Sequence, residues 1–154
     1  MNAPRIAIVG AGPAGMAAAI EASRPGVVVH LYDENATPGG QIYRQPLAPM
    51  RSVNGEAAGR EAPRGERLRR ELHAAGSRLV LHPGAIVWGA FEERTLVVWE
   101  NDRSERVTPE ALILAAGAYE RPVPIPGWTL PGVYTAGATQ VLVKTQGVLP
   151  GQRV

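Results

Sequence analysis

The sequence predicts an α/β fold built on a parallel sheet, with a small antiparallel meander between two of its strands. A short apolar run, Arg5 to Val9, leads into a glycine-rich turn followed by small residues. A second apolar run, Val27 to Tyr32, follows soon after. Short strand-like runs then fill residues 85–108, before an apolar segment at 111–115. Apolar strands that alternate with helices are typical of a buried parallel sheet.

Proline and glycine mark the limits of the predicted helices. The first helix should begin at Pro13, because a missing N–H costs nothing at the first helical position. It should end near Ser23, since Pro25 cannot continue it. A loop is predicted over 45–65, and a second helix over 66–75, where leucines four residues apart share one face.

The second half of the chain predicts short strands. Arg78–Leu81 should be the third parallel strand, and Ala111–Ala115 should return to the same sheet. Between them, turns are expected around Glu92-Glu93 and Asn101-Asp102. The predicted meander strands are Ala85–Trp88, Thr95–Trp99 and Glu105–Thr108, and the three tryptophans, Trp88, Trp99 and Trp128, are expected to fill the core and interfaces.

The glycine-rich turn predicts a cradle for phosphate. Gly10 permits a sharp turn at the strand end, and Gly12 lets a phosphate approach the backbone. Gly15 lets the helix pack closely on the sheet. The free N–H groups and the positive end of the helix dipole would face the anion. The candidate residues of this loop are Gly10, Gly12, Pro13, Ala14 and Gly15.

An acid lies at the end of the second predicted strand. Asp33 follows Gly15 by eighteen positions, where a carboxylate can accept hydrogen bonds from two ribose hydroxyls and disfavour a 2′-phosphate. Glu34 takes this role if the register shifts by one residue. Two simpler interpretations stay open: a strand-turn-helix without a ligand, and an Asp33 that is only a surface acid.

Two further motifs resemble the flavoproteins that carry two dinucleotide-binding domains. The pair Gly39-Gly40 follows the acid, and the segment 111–122 contains a strand followed by a glycine turn. Ala116 stands where this family usually has threonine. The resemblance implies FAD rather than NAD, and it adds as cofactor-binding candidates Gly39, Gly40, Gln41, Arg44, Val87, Ala115, Ala116 and Gly117.

A narrower resemblance rests on segments 38–44, 84–88 and 130–140. These are similar to the FAD-containing alpha or A subunits of heteromeric amino-acid and opine dehydrogenases, a group that includes opine oxidase, hydrogen cyanide synthase and hydroxyproline or proline dehydrogenases and is related to the alpha chain of sarcosine oxidase. The resemblance implies oxidation of a small amine or amino acid by hydride transfer to flavin, with other subunits as partners. It identifies no catalytic residue in this chain.

The resemblance also predicts the domain organisation. Residues 1–154 would form the N-terminal portion of a discontinuous FAD-binding domain, so that the chain is a fragment or a truncated member. A second nucleotide domain, in which NAD(P) could bind, would start near residue 152.

Composition narrows the alternatives. The 154 residues are 45% hydrophobic and 19% charged, with a net charge of +2, which is too mild to indicate a nucleic-acid partner. There is no cysteine, so a thioredoxin-reductase-like flavoprotein could run no dithiol relay within this chain. A non-catalytic subunit or fragment that binds adenine nucleotide is the remaining alternative.

Metal binding and membrane insertion are not predicted. The three histidines, His30, His73 and His82, lack the spacing of metal ligands. No apolar run approaches the ~20 residues that span a bilayer, and a cytoplasmic location is expected.

Overall fold

The computed structural model describes residues 6–24, 26–46 and 62–151. Its strands are β1 (Ile6–Val9), β2 (Val29–Asp33), β3 (Leu79–Pro83), β4 (Ile86–Ala90), β5 (Leu96–Glu100), β6 (Arg103–Val107) and β7 (Ala111–Leu114). Its helices are α1 (Pro13–Ser23), α2 (Ala62–Ala74) and α3 (Ala136–Val141), the last continued by a π turn over Leu142–Gln146.

Four strands form a parallel sheet in the order β3-β2-β1-β7, and three form an antiparallel sheet in the order β4-β5-β6. Ile6 of β1 lies between Val29 of β2 and Ala111 of β7. The predicted fold class, a parallel α/β sheet with an antiparallel meander, is therefore confirmed. The chain leaves β1 toward β2 on one side and returns as β7 on the other. A crevice at such a switch point is where open α/β sheets bind ligands.

The two faces of the parallel sheet are covered differently, because successive side chains of a strand point to opposite faces. The helices cover one face, where Ile8 and Leu31 pack with Met16 and Ala19 of α1. The meander covers the other face, and its cluster contains Ala7, Tyr32, Ala85, Leu96 and Val98.

The boundaries of some elements differ from the prediction. Helix α2 begins at Ala62 rather than Glu66, because Pro63 is tolerated in the first helical turn. Of the loop predicted over 45–65, residues 47–61 lie outside the described residues. Strand β2 begins at Val29, two residues later than predicted.

The meander has the predicted turns. A 3₁₀ turn over Glu92–Arg94 joins β4 to β5. Asn101 and Asp102 join β5 to β6 with φ values of 52° and 60°. Two positive φ values are what a two-residue hairpin turn requires, and Asn and Asp tolerate them.

The prediction that the tryptophans fill the core is wrong. Trp88, Trp99 and Trp128 are all exposed. Two of them lie on meander strands whose inner face is already filled by smaller residues such as Leu96 and Val98. None of the helices within the described ranges has the length and apolar character needed to cross a bilayer.

The start of α1 lies unusually close to the strands beside it. A Cβ on Gly15 would lie 1.7 Å from the Gly10 carbonyl oxygen, and a Cβ on Gly10 would lie 2.3 Å from the Ala115 carbonyl oxygen. Gly10 also has a φ of +99°. Both glycines are therefore required by the packing of β1, α1 and the end of β7.

Substitution at these glycines should separate packing from ligand binding. Gly15→Ala should lower the free energy of unfolding by about 3 kcal/mol or more, because the new methyl group meets backbone that cannot move aside. Gly12→Ala is the matched control, since its Cβ would contact only the Gly40 Cα, at 3.9 Å. Chemical denaturation of both variants checks this, and equal stabilities would contradict the packing.

Candidate nucleotide-binding site

A cavity of about 470 Å³ lies at the carboxyl ends of β1, β2 and β7. It is bordered by the β1–α1 loop, the segment after β2, the start of the meander and the segment after β7. Thirteen of the fifteen candidate residues line it: Gly10, Gly12, Pro13, Ala14, Asp33, Glu34, Gly40, Gln41, Arg44, Val87, Ala115, Ala116 and Gly117. The other two, Gly15 and Gly39, lie behind the lining.

Gly12 is the one loop glycine whose absence of a side chain the protein itself does not explain. Its φ of −69° suits any residue. Its Cβ would meet no described atom closer than 3.9 Å. Because Gly12 borders the cavity, a side chain there would occupy space that a ligand could use.

The N-terminus of α1 borders this space, and no side chain of its own first turn occupies its free N–H groups. No side chain caps the helix at Gly12, and its first turn contains no acidic residue. The Gly12 carbonyl accepts the Met16 N–H at 2.9 Å, so the helix ladder starts at the loop itself. Free N–H groups and the helix dipole at this end favour an anion such as a pyrophosphate.

Asp33 braces the glycine loop, that is, it holds the loop in place through a hydrogen bond. Its Oδ2 accepts a hydrogen bond from the Ala11 N–H, and its Oδ1 accepts from the Asn35 N–H at 2.8 Å and from Asn35 Nδ2 at 2.9 Å. The residue is only 8% exposed. The carboxylate thus holds the loop and its own turn, in addition to bordering the cavity where a ribose was predicted.

Glu34 and Tyr119 bridge two sides of the cavity. The Tyr119 hydroxyl donates to Glu34 Oε1, which joins the segment after β2 to the segment after β7. This hydrogen bond to the carboxylate is the main cause that raises the pKa of Tyr119. The phenol therefore stays a protonated donor at neutral pH.

The two glycines after β2 close against the loop. The Gly39 N–H donates to the Ala11 carbonyl at 2.8 Å. Gly40 has a φ of +56°, and its Cβ would lie 2.9 Å from the Gly12 Cα. The absence of side chains at Gly39 and Gly40 is therefore required by the fold, besides any closeness to a ligand.

Arg44 offers a donor that the protein leaves unused. Its Nη2 donates to Gln41 Oε1 at 3.2 Å. Its Nε is buried and has no hydrogen-bond partner among the described residues. An unpaired buried donor is costly, and a bound anion would satisfy it. The cradle at Gly12, the helix N-terminus and this guanidinium together fit a phosphate-containing dinucleotide.

Comparison with known proteins identifies the family. A family model described as pyridine nucleotide-disulphide oxidoreductase matches residues 4–147. The chain belongs to the pyridine nucleotide-disulphide oxidoreductase family. The sequence-based assignment to oxidoreductases of this type is thereby confirmed.

Individual relatives narrow the resemblance. HcnB, a hydrogen cyanide synthase subunit of Pseudomonas aeruginosa, is 43% identical over 147 residues, which cover 95% of this chain and 31% of that protein. An opine oxidase subunit of Agrobacterium tumefaciens is 42% identical over 154 residues, with 93% and 29% covered. The chain therefore spans about 30% of the length of these relatives.

A solved structure supports the fold. L-proline dehydrogenase from P. horikoshii superposes with a TM-score of 0.73 at 20% identity, over 97% of this chain and 30% of that one. At this identity the likeness speaks for the fold alone.

Sequence reasoning missed several lining residues of this oxidoreductase chain. Tyr32, Asn35, Ala85 and Ile86 border the cavity, yet none was a candidate. Asn35 carried a usable signal, because an Asp side chain such as that of Asp33 often accepts a hydrogen bond from the backbone two residues further on. Tyr32 and Ala85 carried none, since in sequence they are ordinary core residues.

The bracing role of Asp33 can be measured on the protein alone. Asp33→Ala should lower the free energy of unfolding by about 1–3 kcal/mol, because the Ala11 N–H loses its acceptor. Glu92→Ala, at an exposed acid without a side-chain hydrogen bond or ion pair among the described residues, should change it by less than about 0.5 kcal/mol. Urea denaturation gives both values. An Asp33→Ala protein as stable as the wild type would show that the loop needs no brace.

Proposed function

We propose that this chain is the FAD-binding part of an oxidoreductase that oxidises an amine or amino-acid-type substrate. The observation that carries the proposal is the space at Gly12, which neither backbone conformation nor packing explains. A pyrophosphate at that point would accept hydrogen bonds from the N–H groups of the first turn of α1. Arg44 would add its free Nε–H.

The remaining candidate residues would hold the rest of the cofactor. Asp33 and Glu34 are the acids available to ribose hydroxyls, and Val87 would meet the adenine with its backbone. Ala115, Ala116 and Gly117 would contribute backbone contacts only, because Ala116 has no hydroxyl group. Bound FAD would supply the two-electron acceptor, while the chain's own residues bind and orient it.

The substrate class and the partners are inferred from the relatives. Opine oxidase carries an amino-acid-type compound in its name. HcnB and the opine oxidase chain are both named as subunits, and thus as parts of larger enzymes. We therefore infer an amine or amino-acid substrate and further subunits for the protein to which this chain corresponds.

We also infer that residues 1–154 are the N-terminal portion of a discontinuous FAD domain, followed by a second nucleotide domain that could take NAD(P). Strand β7 pairs only with β1 among the described residues. Its Leu114 is 65% exposed. Large apolar side chains after it are exposed as well, namely Val123, Ile125, Trp128 and Leu130. We infer that a part of the protein outside the described residues covers these side chains, because large apolar side chains exposed in such number mark surfaces that are covered.

Titration of the purified chain with FAD, ADP and NAD tests the cofactor assignment. Binding of FAD, followed by the absorption bands and fluorescence quenching of flavin, supports the oxidoreductase. Binding of ADP without FAD would instead support the module that only binds adenine nucleotide. A dithiol relay within this chain is excluded, because the chain has no cysteine.

The phosphate cradle is tested by Gly12→Val. We expect FAD affinity to fall at least about a hundredfold, equivalent to about 2.8 kcal/mol, because the side chain fills the space of the pyrophosphate. Ala17→Val, on the exposed side of the same helix, is the matched control and should bind FAD like the wild type. A Gly12→Val protein that retains full affinity would refute the cradle.

The two acids can be separated in the same assay. Asp33→Ala should weaken FAD binding by about 1.5–3 kcal/mol for each charge-assisted hydrogen bond lost, measured as the dissociation constant. If Asp33→Ala leaves the affinity unchanged while Glu34→Ala lowers it, the ribose contact belongs to Glu34.

A further inference from the structure

A chain of polar rings lies between the parallel sheet and the meander, behind the cavity. His30 Nδ1 lies 2.9 Å from His82 Nε2, and His82 Nδ1 lies 2.9 Å from Glu100 Oε2. The three residues come from β2, β3 and β5. Tyr32 stacks on His82 with ring centroids 4.4 Å apart. The proposed cofactor contacts use none of these side chains, although Tyr32 borders the cavity.

The hydrogen-bonding capacity of these three side chains limits how many hydrogens they can hold. A carboxylate only accepts, so His82 Nδ1 must carry a hydrogen and donate it to Glu100. The contact between the two rings then has room for one hydrogen, on either His30 Nδ1 or His82 Nε2. A second hydrogen would place two N–H groups against each other at 2.9 Å. The chain therefore tolerates one imidazolium at most.

The ring chain is attached directly to the cavity wall. Tyr32 pairs in register with His82, and the next pair, Asp33 with Pro83, ends both strands. Two residues later the backbone reaches Ala85, which is 2% exposed, followed by Ile86 and Val87 of the lining. Glu100 is the last residue of β5, and Val98 of that strand pairs with Val87 of the cavity wall. Movement of His82 against Glu100 would thus displace the wall at residues 85–87.

We propose that the hydrogen-bonded row Glu100–His82–His30 positions the wall at 85–87, and that a second hydrogen in the contact between the two rings releases it, so that dinucleotide affinity falls on acidification. This inference rests on the proposed function, because the affinity concerned is that for FAD.

The surroundings of the two rings favour the neutral form of His30. Burial, and then the proximity of His82, lower the pKa of His30, while Glu100 opposes them. Burial raises the pKa of Tyr32 to about 12, with Glu100 and Glu105 adding to the effect. Tyr32 therefore stays neutral. Arg103, opposite Glu100 in register, is engaged with Glu105 at 2.9 Å.

The direction of the pH dependence follows from the lowered pKa of His30. The unfolded chain, with an ordinary histidine pKa of 6.5, binds more protons than the folded chain between that value and the lowered one. The folded state is therefore favoured above pH 6.5 and loses this stabilisation as the pH falls. As the pH falls, a second hydrogen enters the contact between the two rings, and the wall at 85–87 loosens with it.

The test compares FAD affinity at about pH 7.5 and about pH 5.5 in the wild type, His30→Gln and His73→Gln. A glutamine amide can still hydrogen-bond to His82 but does not titrate. His73 is exposed on α2 and provides the matched control. We expect the FAD affinity of the wild type and of His73→Gln to fall about tenfold on acidification, equivalent to about 1.4 kcal/mol. In His30→Gln we expect less than about threefold.

A structural role alone would lower the affinity of His30→Gln at both pH values and leave its slope unchanged, which would overturn the inference. Imidazole ¹⁵N spectra and thermal unfolding across the same pH range give readouts that need no cofactor. If His30→Gln removes the pH dependence of unfolding, but no protein binds FAD at any pH, the cofactor assignment fails while the proton-sensitive chain stands. If unfolding of wild type and His30→Gln depends equally on pH, the chain itself is refuted.

Discussion

The close approach of three backbone segments around Gly10 is the constraint on which the rest of the structure depends. The strand β1, the first turn of α1 and the end of β7 come so near to one another that a methyl group on Gly10 or Gly15 would overlap a carbonyl oxygen. Because the packing removes side chains at these points, the helix N-terminus can lie directly above the strand ends. The cavity exists because these backbones meet without side chains between them.

The charges at the cavity follow from that geometry. The N–H groups of α1 and the Nε–H of Arg44 lack protein acceptors among the described residues, whereas the acids beside them are already engaged. Asp33 accepts from the glycine loop, and Glu34 accepts from Tyr119. The site therefore presents unused donors beside acids that keep only part of their acceptor capacity for ribose hydroxyls, an arrangement complementary to a negatively charged ligand.

The two faces of the parallel sheet serve different ends. The helical face is an apolar core that includes Ile8 and Leu31. On the meander face, apolar residues such as Ala7 share the interface with Tyr32, His30 and His82. Polar rings in such an interface fix the meander in one geometry more strictly than apolar packing does, since each hydrogen bond has a direction as well as a distance. The face nearest the cavity wall is thus the one held by directional contacts.

Local chemistry in the sequence determined the strand-turn-helix at Gly10, Gly12 and Gly15, the acid at the end of β2 and the two turns of the meander, because each depends on neighbouring residues only. It could not predict that α2 begins at Ala62, that the tryptophans are exposed, or that Tyr32 and Ala85 border the cavity, since these depend on what packs alongside. Tertiary structure alone joined His30 to His82, 52 positions away, and His82 to Glu100, 18 positions away. The pairing of β2 with β3 and the packing of the meander on the parallel sheet bring these distant residues together, and no periodicity within a single segment records those contacts.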